Sequence, residues 1–293
     1  MRVLIVGCGY VGMALGAELS RKGHQVFGLR RTSDGHDQMR AAGIHPLAAD
    51  ITRREQLDAL PQPFDWVVNM VSSSKGGVEE YRRVYLQGMR NLLDWLRPSP
   101  PLQFVYTSST SVYAQNDGSR VDETSLTEPV VETGRVLLQT EQVLLAAGKQ
   151  NIPAIVLRVA GIYGPGRTFW LEHASEKQAG NEMDNRIVNM IHRDDLARAI
   201  VASLERGRPG EIYNVVDDEP VTRNELLQWV RAKMERSNEA RDSVGREPLS
   251  PARKRALSSK RVCNIKMKQE FGYTFKYPTF REGFAGELGR QKS

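Results

Sequence analysis

The sequence predicts an α/β fold, a doubly wound parallel sheet with a smaller C-terminal lobe. Three observations predict it. The chain opens on a short, nearly all-apolar run, Arg2-Val-Leu-Ile-Val6, that meets a glycine-rich turn and then a helical pattern. Strand-length and helix-length runs then alternate up to about residue 165. The strand candidates are apolar almost throughout rather than at every second position, as in a parallel sheet covered on both faces.

Taken in order, the strands are expected at 2–6, 25–29, 65–70, 102–107 and 152–158. Between them an amphipathic helix runs over about 77–96, with Val78, Tyr81, Tyr85, Met89, Leu92 and Leu96 on one face. A second covers about 134–148, with Val136, Leu137, Leu144 and Leu145. Beyond 165 the pattern weakens. A helix starts near Asp194, where Asp194-Asp195-Leu-Ala-Arg-Ala-Ile supplies an N-cap, followed by a strand at 211–216 and a helix at 222–235. Residues 237–261, rich in Ser, Arg and Pro, read as an exposed loop. The organisation is thus a first domain over 1–165 with 187–217 returning to it, and a smaller lobe from 166–186 and 218–293.

Composition narrows the class. A chain of 293 residues with 40% apolar and 26% charged residues buries a core without staples. Cys8 and Cys263 are its only cysteines, which excludes a disulfide scaffold and a Cys-based zinc site. The longest apolar runs are strand-length, so no transmembrane helix and no membrane partner are expected. The N-terminus enters a strand directly with no cleavage site, so the expected location is cytoplasmic. The formal charge is +6, but residues 231–268 hold twelve Lys/Arg against four acids, leaving the remainder at −2. Such a stretch could attract nucleic acid or an anionic substrate. With almost no aromatics to stack on bases, it reads instead as a solvated loop without a specific nucleic-acid site.

Gly7-Cys8-Gly9-Tyr10-Val11-Gly12 fits G-x-G-x-x-G between a strand and a helix. Gly7 permits the tight turn, Gly9 lets a pyrophosphate approach the backbone, and Gly12 lets the helix pack on the strand. The helix N-terminus then offers N–H groups and a positive dipole end to phosphates. A dinucleotide is expected here. An NAD-preferring site carries an acid at the end of the second strand, whereas here that strand ends in Arg30-Arg31-Thr32-Ser33. Two guanidiniums suit a 2′-phosphate, so NADP is expected, with NAD as second choice.

These motifs and those that follow resemble the extended and atypical short-chain dehydrogenase/reductases, the NAD-dependent epimerase/dehydratase family. Asp50-Ile51 resembles the family's adenine-side contact, and Asp65-Trp-Val-Val-Asn-Met70-Val71-Ser72 its fourth strand beside the cofactor ribose. Val105-Tyr-Thr107-Ser108-Ser109-Thr-Ser-Val-Tyr113 is similar to the segment with the active-site Ser, which falls on Ser109. Leu157 to Gly166, Ile191-His-Arg-Asp-Asp195, Asn264, Phe271-Gly-Tyr273 and Tyr277 to Gly283 resemble its later motifs. The resemblance implies a Rossmann domain, a cofactor site that includes Thr107 and Ser108, a small-molecule substrate in the C-terminal lobe, and oxidoreductase or epimerase chemistry. The two helices near 77–96 and 134–148 are the expected faces of a homodimer.

The family's Tyr-x-x-x-Lys places an acid and its helper on one helical face. Here the matching positions hold Thr133 and Leu137. An alcohol is a poor acid at neutral pH and Leu supplies no charge. Ser109 remains as a group to bond a carbonyl. Tyr10, Tyr113 and Tyr163 are candidate replacement acids, with Tyr113 and Tyr163 read first as packing residues. His192 with Asp194 and Asp195 reads as a helix cap rather than a metal site, and His173 with Glu172 and Glu176 as a solvated face; no metal is expected. Two functions follow: an NAD(P)-dependent oxidoreductase or epimerase-like enzyme for a small carbonyl or sugar-like substrate, or a non-catalytic NADP-binding sensor or scaffold.

Overall fold

The computed structural model describes residues 1–73, 76–148, 151–167, 169–175, 184–238 and 258–290. Most of the basic stretch expected to form an exposed loop (239–257), and Glu176 of the second lobe, lie outside the described residues. Seven strands form one sheet: β1 (Arg2–Val6), β2 (Gln25–Arg30), β3 (Ile44–Ala48), β4 (Trp66–Asn69), β5 (Gln103–Ser109), β7 (Ala154–Val159) and β11 (Ile212–Val215). Their order is β11-β7-β5-β4-β1-β2-β3, and every pairing is parallel. The order reverses between β1 and β4, so the ligand crevice opens at the carboxyl ends of those two strands.

Alternation along the strands sorts the helices. Val3 and Ile5 face the side covered by α1 (Tyr10–Arg21) and α8 (Arg193–Arg206), where they meet Leu15, Leu196 and Ile200. Leu4 and Val6 face the side covered by α5 (Gly88–Leu96) and α6 (Glu132–Gly148), among Met89, Leu92 and Leu144. Both faces are dry, which explains why these strands read as continuous apolar runs. The edge strand β3 was not legible in that way. His45, Pro46 and Ala48 interrupt its apolar run, and Pro46 is tolerated because one side of an edge strand needs no N–H donor.

The helix expected over 77–96 is present but not regular. α4 (Val78–Tyr81) runs into a π-helical stretch, Arg82–Gln87, and then into α5. The expected cap at Asp194 is corrected: the α8 cap is His192, whose Nδ1 accepts from the Asp194 amide at 3.1 Å. Asp195 is fully buried and accepts from the amides of Lys276 (2.8 Å) and Tyr277 (2.7 Å), tying the C-terminal segment to α8.

A second core gathers Tyr163, Trp170, Met190, Leu226, Val230, Phe280 and Phe284. They come from β8 (Gly161–Tyr163), α7 (Phe169–Ser175), β10 (Met190–His192), α9 (Arg223–Asn238) and α11 (Phe280–Arg290); β9 (Ile187–Val188) pairs antiparallel with β12 (Val221–Thr222), and the short helices α2 (His36–Ala41) and α3 (Arg54–Leu57) flank β3 in sequence. The chain passes between the two cores repeatedly. It leaves the sheet after β7, returns for α8 and β11, and leaves again for α9. It comes back through β13 (Arg261–Val262) and α10 (Ile265–Phe271), then leaves for α11. β13 pairs with β6 (Arg120–Val121), and the buried Lys260 donates its ammonium to the Tyr113 carbonyl at 2.9 Å.

Candidate active site

The glycine turn after β1 fixes the floor of the crevice. Gly7 has φ +83°, and a Cβ there would lie 2.8 Å from the Val71 amide nitrogen. Only glycine fits such a position. The amides of Gly7 and Cys8 both donate to the Leu29 carbonyl at 3.0 Å, so the turn is tied to β2. At Gly12 a Cβ would come within 3.2 Å of the Gly7 carbonyl, Ile5 and the Met70 sulfur, which is the close helix–strand approach. Gly9 differs: the nearest atom to its Cβ position is 4.0 Å away. Its open face lies at the start of α1, which has no side-chain cap and no acid in its first turn. The uncapped N–H groups and the positive dipole end therefore face the crevice. Beneath them Cys8 is buried, which pushes its thiol up to about 11 and leaves it a neutral filler.

Two adjoining hollows of about 290 Å³ each share Gly7, Gly9, Met70, Val71 and Ser72 and form one groove. The first is lined at β2 and β3 by Arg30, Arg31, Asp50 and Ile51. Arg30 is committed to structure: Nε donates to the Cys8 carbonyl at 2.6 Å and Nη1 to the Asp34 carbonyl at 2.8 Å. Arg31 is exposed beside it, with no hydrogen bond or ion pair to any described residue. Asp50 accepts from the amide (2.9 Å) and hydroxyl (2.8 Å) of Thr52, which holds its carboxylate at the groove wall.

The second hollow is lined by Tyr10, Val11, Thr107, Ser108, Ser109 and Ser111, with Tyr81, Tyr85, Leu137, Ile162 and Arg167. Ser109 caps a 3₁₀ turn: its oxygen accepts from the Ser111 amide at 3.2 Å. Its O–H proton has no acceptor among the described residues, so a substrate oxygen in the hollow can accept it. Ser108 is turned away and donates to Glu141 at 2.5 Å. Glu141 and Arg158, 1% and 4% exposed, pair at 2.8 Å. Arg158 donates to the Tyr113 hydroxyl at 3.0 Å, which donates to Asn214 at 2.9 Å.

The sequence-predicted residues divide on this geometry. All the cofactor-side candidates line the groove, from Gly7, Gly9, Tyr10, Val11 and Gly12 through Arg30, Arg31, Asp50 and Ile51 to Met70, Val71, Ser72, Thr107 and Ser108. Ser109 lines it as well. Tyr113 does not. It is 1% exposed inside the Arg158 network, and burial raises its phenol above the ordinary range, so it is corrected to a structural residue. Tyr163 sits in the second core against Phe284. Tyr10 lines the groove by its ring, which lies under the guanidiniums of Arg167 (4.3 Å) and Arg193 (5.3 Å), while its hydroxyl is buried toward Gly164. Thr133 is half-buried off the lining; Leu137 closes the wall. Sequence reasoning passed over Tyr81, Tyr85, Ser111 and Arg167. In the sequence the two tyrosines fall on the apolar face of one helix, and only their hydroxyls mark them out. Among the described residues no group of His, Cys, Asp and Glu could hold a metal.

The open face of Gly9 and the uncapped α1 fit a pyrophosphate, and the groove extends from there in both directions. A family model, described as the NAD dependent epimerase/dehydratase family, matches residues 3–215. The chain belongs to that family. Within reach of this epimerase/dehydratase chain, Protein YeeZ of Escherichia coli K12 is 31% identical over 285 residues, covering 94% of this chain and 96% of YeeZ. A 4-hydroxy-2-methyl-3-oxo-4-farnesyl-3,4-dihydroquinoline-1-oxide ketoreductase of Stigmatella aurantiaca is 24% identical, covering 86% and 78%. Among solved structures, a Methylobacillus flagellatus protein assigned as an NAD-dependent epimerase/dehydratase superposes with a TM-score of 0.79 at 28% identity, covering 100% and 99%. The epimerase/dehydratase fold therefore accounts for the whole sheet and for the groove at its carboxyl edge.

Proposed function

We propose that the chain is an NADPH-dependent reductase of a small, largely apolar carbonyl compound. The observation that carries this reading is the continuity of one groove from the exposed Arg31 to Ser109. Gly7, Gly9 and the α1 N-terminus would hold the pyrophosphate, Asp50 and Ile51 the adenine side, and Met70, Val71 and Ser72 the ribose. Arg31 would meet the 2′-phosphate, where a carboxylate would repel it. The bound dinucleotide supplies a hydride. Ser109 holds the substrate oxygen by a hydrogen bond from its hydroxyl and orients it, and orientation contributes several kcal/mol to lowering a barrier. Leu137, Val159, Ala160 and Ile162 give the substrate end an apolar wall that suits a ketone better than a sugar, and the ketoreductase relative supports the same choice.

A charge-assisted phosphate contact contributes about 1.5–3 kcal/mol, or roughly ten- to a hundredfold in affinity. Fluorescence titration should find NADPH binding at least about tenfold tighter than NADH, and Arg31→Ala should erase the difference. Equal wild-type affinities would overturn the NADP preference. Leu137 in place of an ammonium favours a second reading, a cofactor-binding sensor; NADPH binding without oxidation by any ketone in a panel would select it.

A further inference from the structure

The reductase reading needs a proton donor, and neither Thr133 nor Leu137 provides one. Four other tyrosines can be sorted by place. Tyr113 and Tyr163 are buried away from the groove, and the Tyr10 hydroxyl is buried toward Gly164. Tyr106, on β5, is fully buried and lines neither hollow. Tyr213, Tyr273 and Tyr277 do not line the groove, whereas Tyr81 and Tyr85 both line the substrate hollow together with Ser109 and Leu137. Their rings lie 4.8 Å apart. Tyr85 stands within the π-helical stretch, a distortion that often marks a functional position in a helix. Its phenol oxygen is fixed, because the Ser73 amide donates to it at 3.1 Å. No comparable bond holds the Tyr81 hydroxyl among the described residues. The Tyr106 hydroxyl is buried without a hydrogen-bond partner among the described residues, and Tyr85, Glu141 and Tyr81 are its electrostatic neighbours.

Resting on the reductase reading, we infer that Tyr85 is the catalytic acid: from the helix facing α6, it supplies the phenol that positions 133 and 137 do not. In the reduction the hydride and its electron pair come from NADPH, which is oxidised, to the carbonyl carbon. The carbonyl π pair moves to oxygen, the Tyr85 O–H bond breaks, and its proton forms the new alcohol O–H. The phenolate then takes a proton from water. Ser109 holds the same oxygen by its hydroxyl.

The test uses the full-length protein, NADPH and a panel of aliphatic, aromatic and β-keto-ester ketones. Tyr85→Phe should bind NADPH within about threefold of wild type while single-turnover NADPH oxidation falls by about a hundredfold or more. Tyr81→Phe should lose at least about tenfold less than Tyr85→Phe does. Fluorotyrosine placed at 85 should move the alkaline limb of the pH–rate profile to lower pH, which a packing role would not do. Independently of turnover, the Ser73 amide resonance should shift with pH in wild type and lose that response in Tyr85→Phe. Wild-type turnover retained in Tyr85→Phe would overturn the assignment and leave the reductase reading standing, as would a Ser73 resonance indifferent to the substitution. A wild-type protein that fails to bind NADPH, or binds it and reduces no ketone, would overturn the reading and the assignment with it.

Discussion

Two glycines of one motif carry different physical loads. At Gly7 both φ and space forbid a side chain, so Gly7→Ala should destabilise the fold by about 2 kcal/mol or more, seen as a lower urea midpoint. At Gly9 the space is open, so Gly9→Ala should leave that midpoint nearly unchanged yet weaken NADPH binding about tenfold or more by filling the phosphate's place. Comparable losses of stability in both variants would contradict this division. Ser109→Ala should lower single-turnover reduction by about tenfold or more, and Thr133→Val should leave it within about threefold. A large effect of Thr133→Val would return that residue to the site. These residues were legible because glycine, serine and arginine carry their chemistry in their type and spacing. Arg30 and Arg31 were legible as a pair but not as individuals: only the structure separates the one bonded to Cys8 and Asp34 from the one with no bond to a described residue. Tyr113, read first as a packing residue and second as an acid, is settled only by the way its ring points, which a motif does not say.

At the scale of elements, helix α6 is joined to β7 by a buried ion pair, Glu141–Arg158, with Ser108 and Tyr113 as its further partners. Removing one member of such a pair leaves the other charge buried. Glu141→Gln should therefore cost about 3 kcal/mol, lowering the thermal midpoint by roughly 6–12 °C. The paired replacement Glu141→Leu with Arg158→Met should recover much of that loss. A Glu141→Gln midpoint equal to wild type would contradict it. The pair was not legible because the sequence gives no sign that residues 141 and 158 meet. The long helices and central strands were legible, since each repeats one period over enough residues. The two- and three-residue strands of the second lobe were not, because they are too short to show a period and exist only through tertiary pairing. The π-helical stretch escaped for a related reason: one extra residue per turn leaves the apolar spacing almost intact.

For the whole molecule, His192 joins the two cores, capping α8, meeting Tyr163 edge-on and lying tilted against Tyr277. Burial lowers its imidazole from 6.5 to about 4. The unfolded chain thus binds this proton more readily than the folded one. The stability contributed is fully present above pH 6.5 and is lost as pH falls toward about 4. Across that window the loss should approach about 3 kcal/mol, and His192→Asn, which keeps a capping oxygen, should flatten it in urea titrations at stepped pH. An unchanged slope would contradict the assignment. The repeated passage of the chain between sheet and second lobe has one more consequence. Neither part is a contiguous piece of sequence, so no single cut yields a module that could be grafted onto another cofactor domain. A change of substrate must come by replacing residues where they stand, around the groove and inside the second core. Exchanging the lobe whole is not open to this chain.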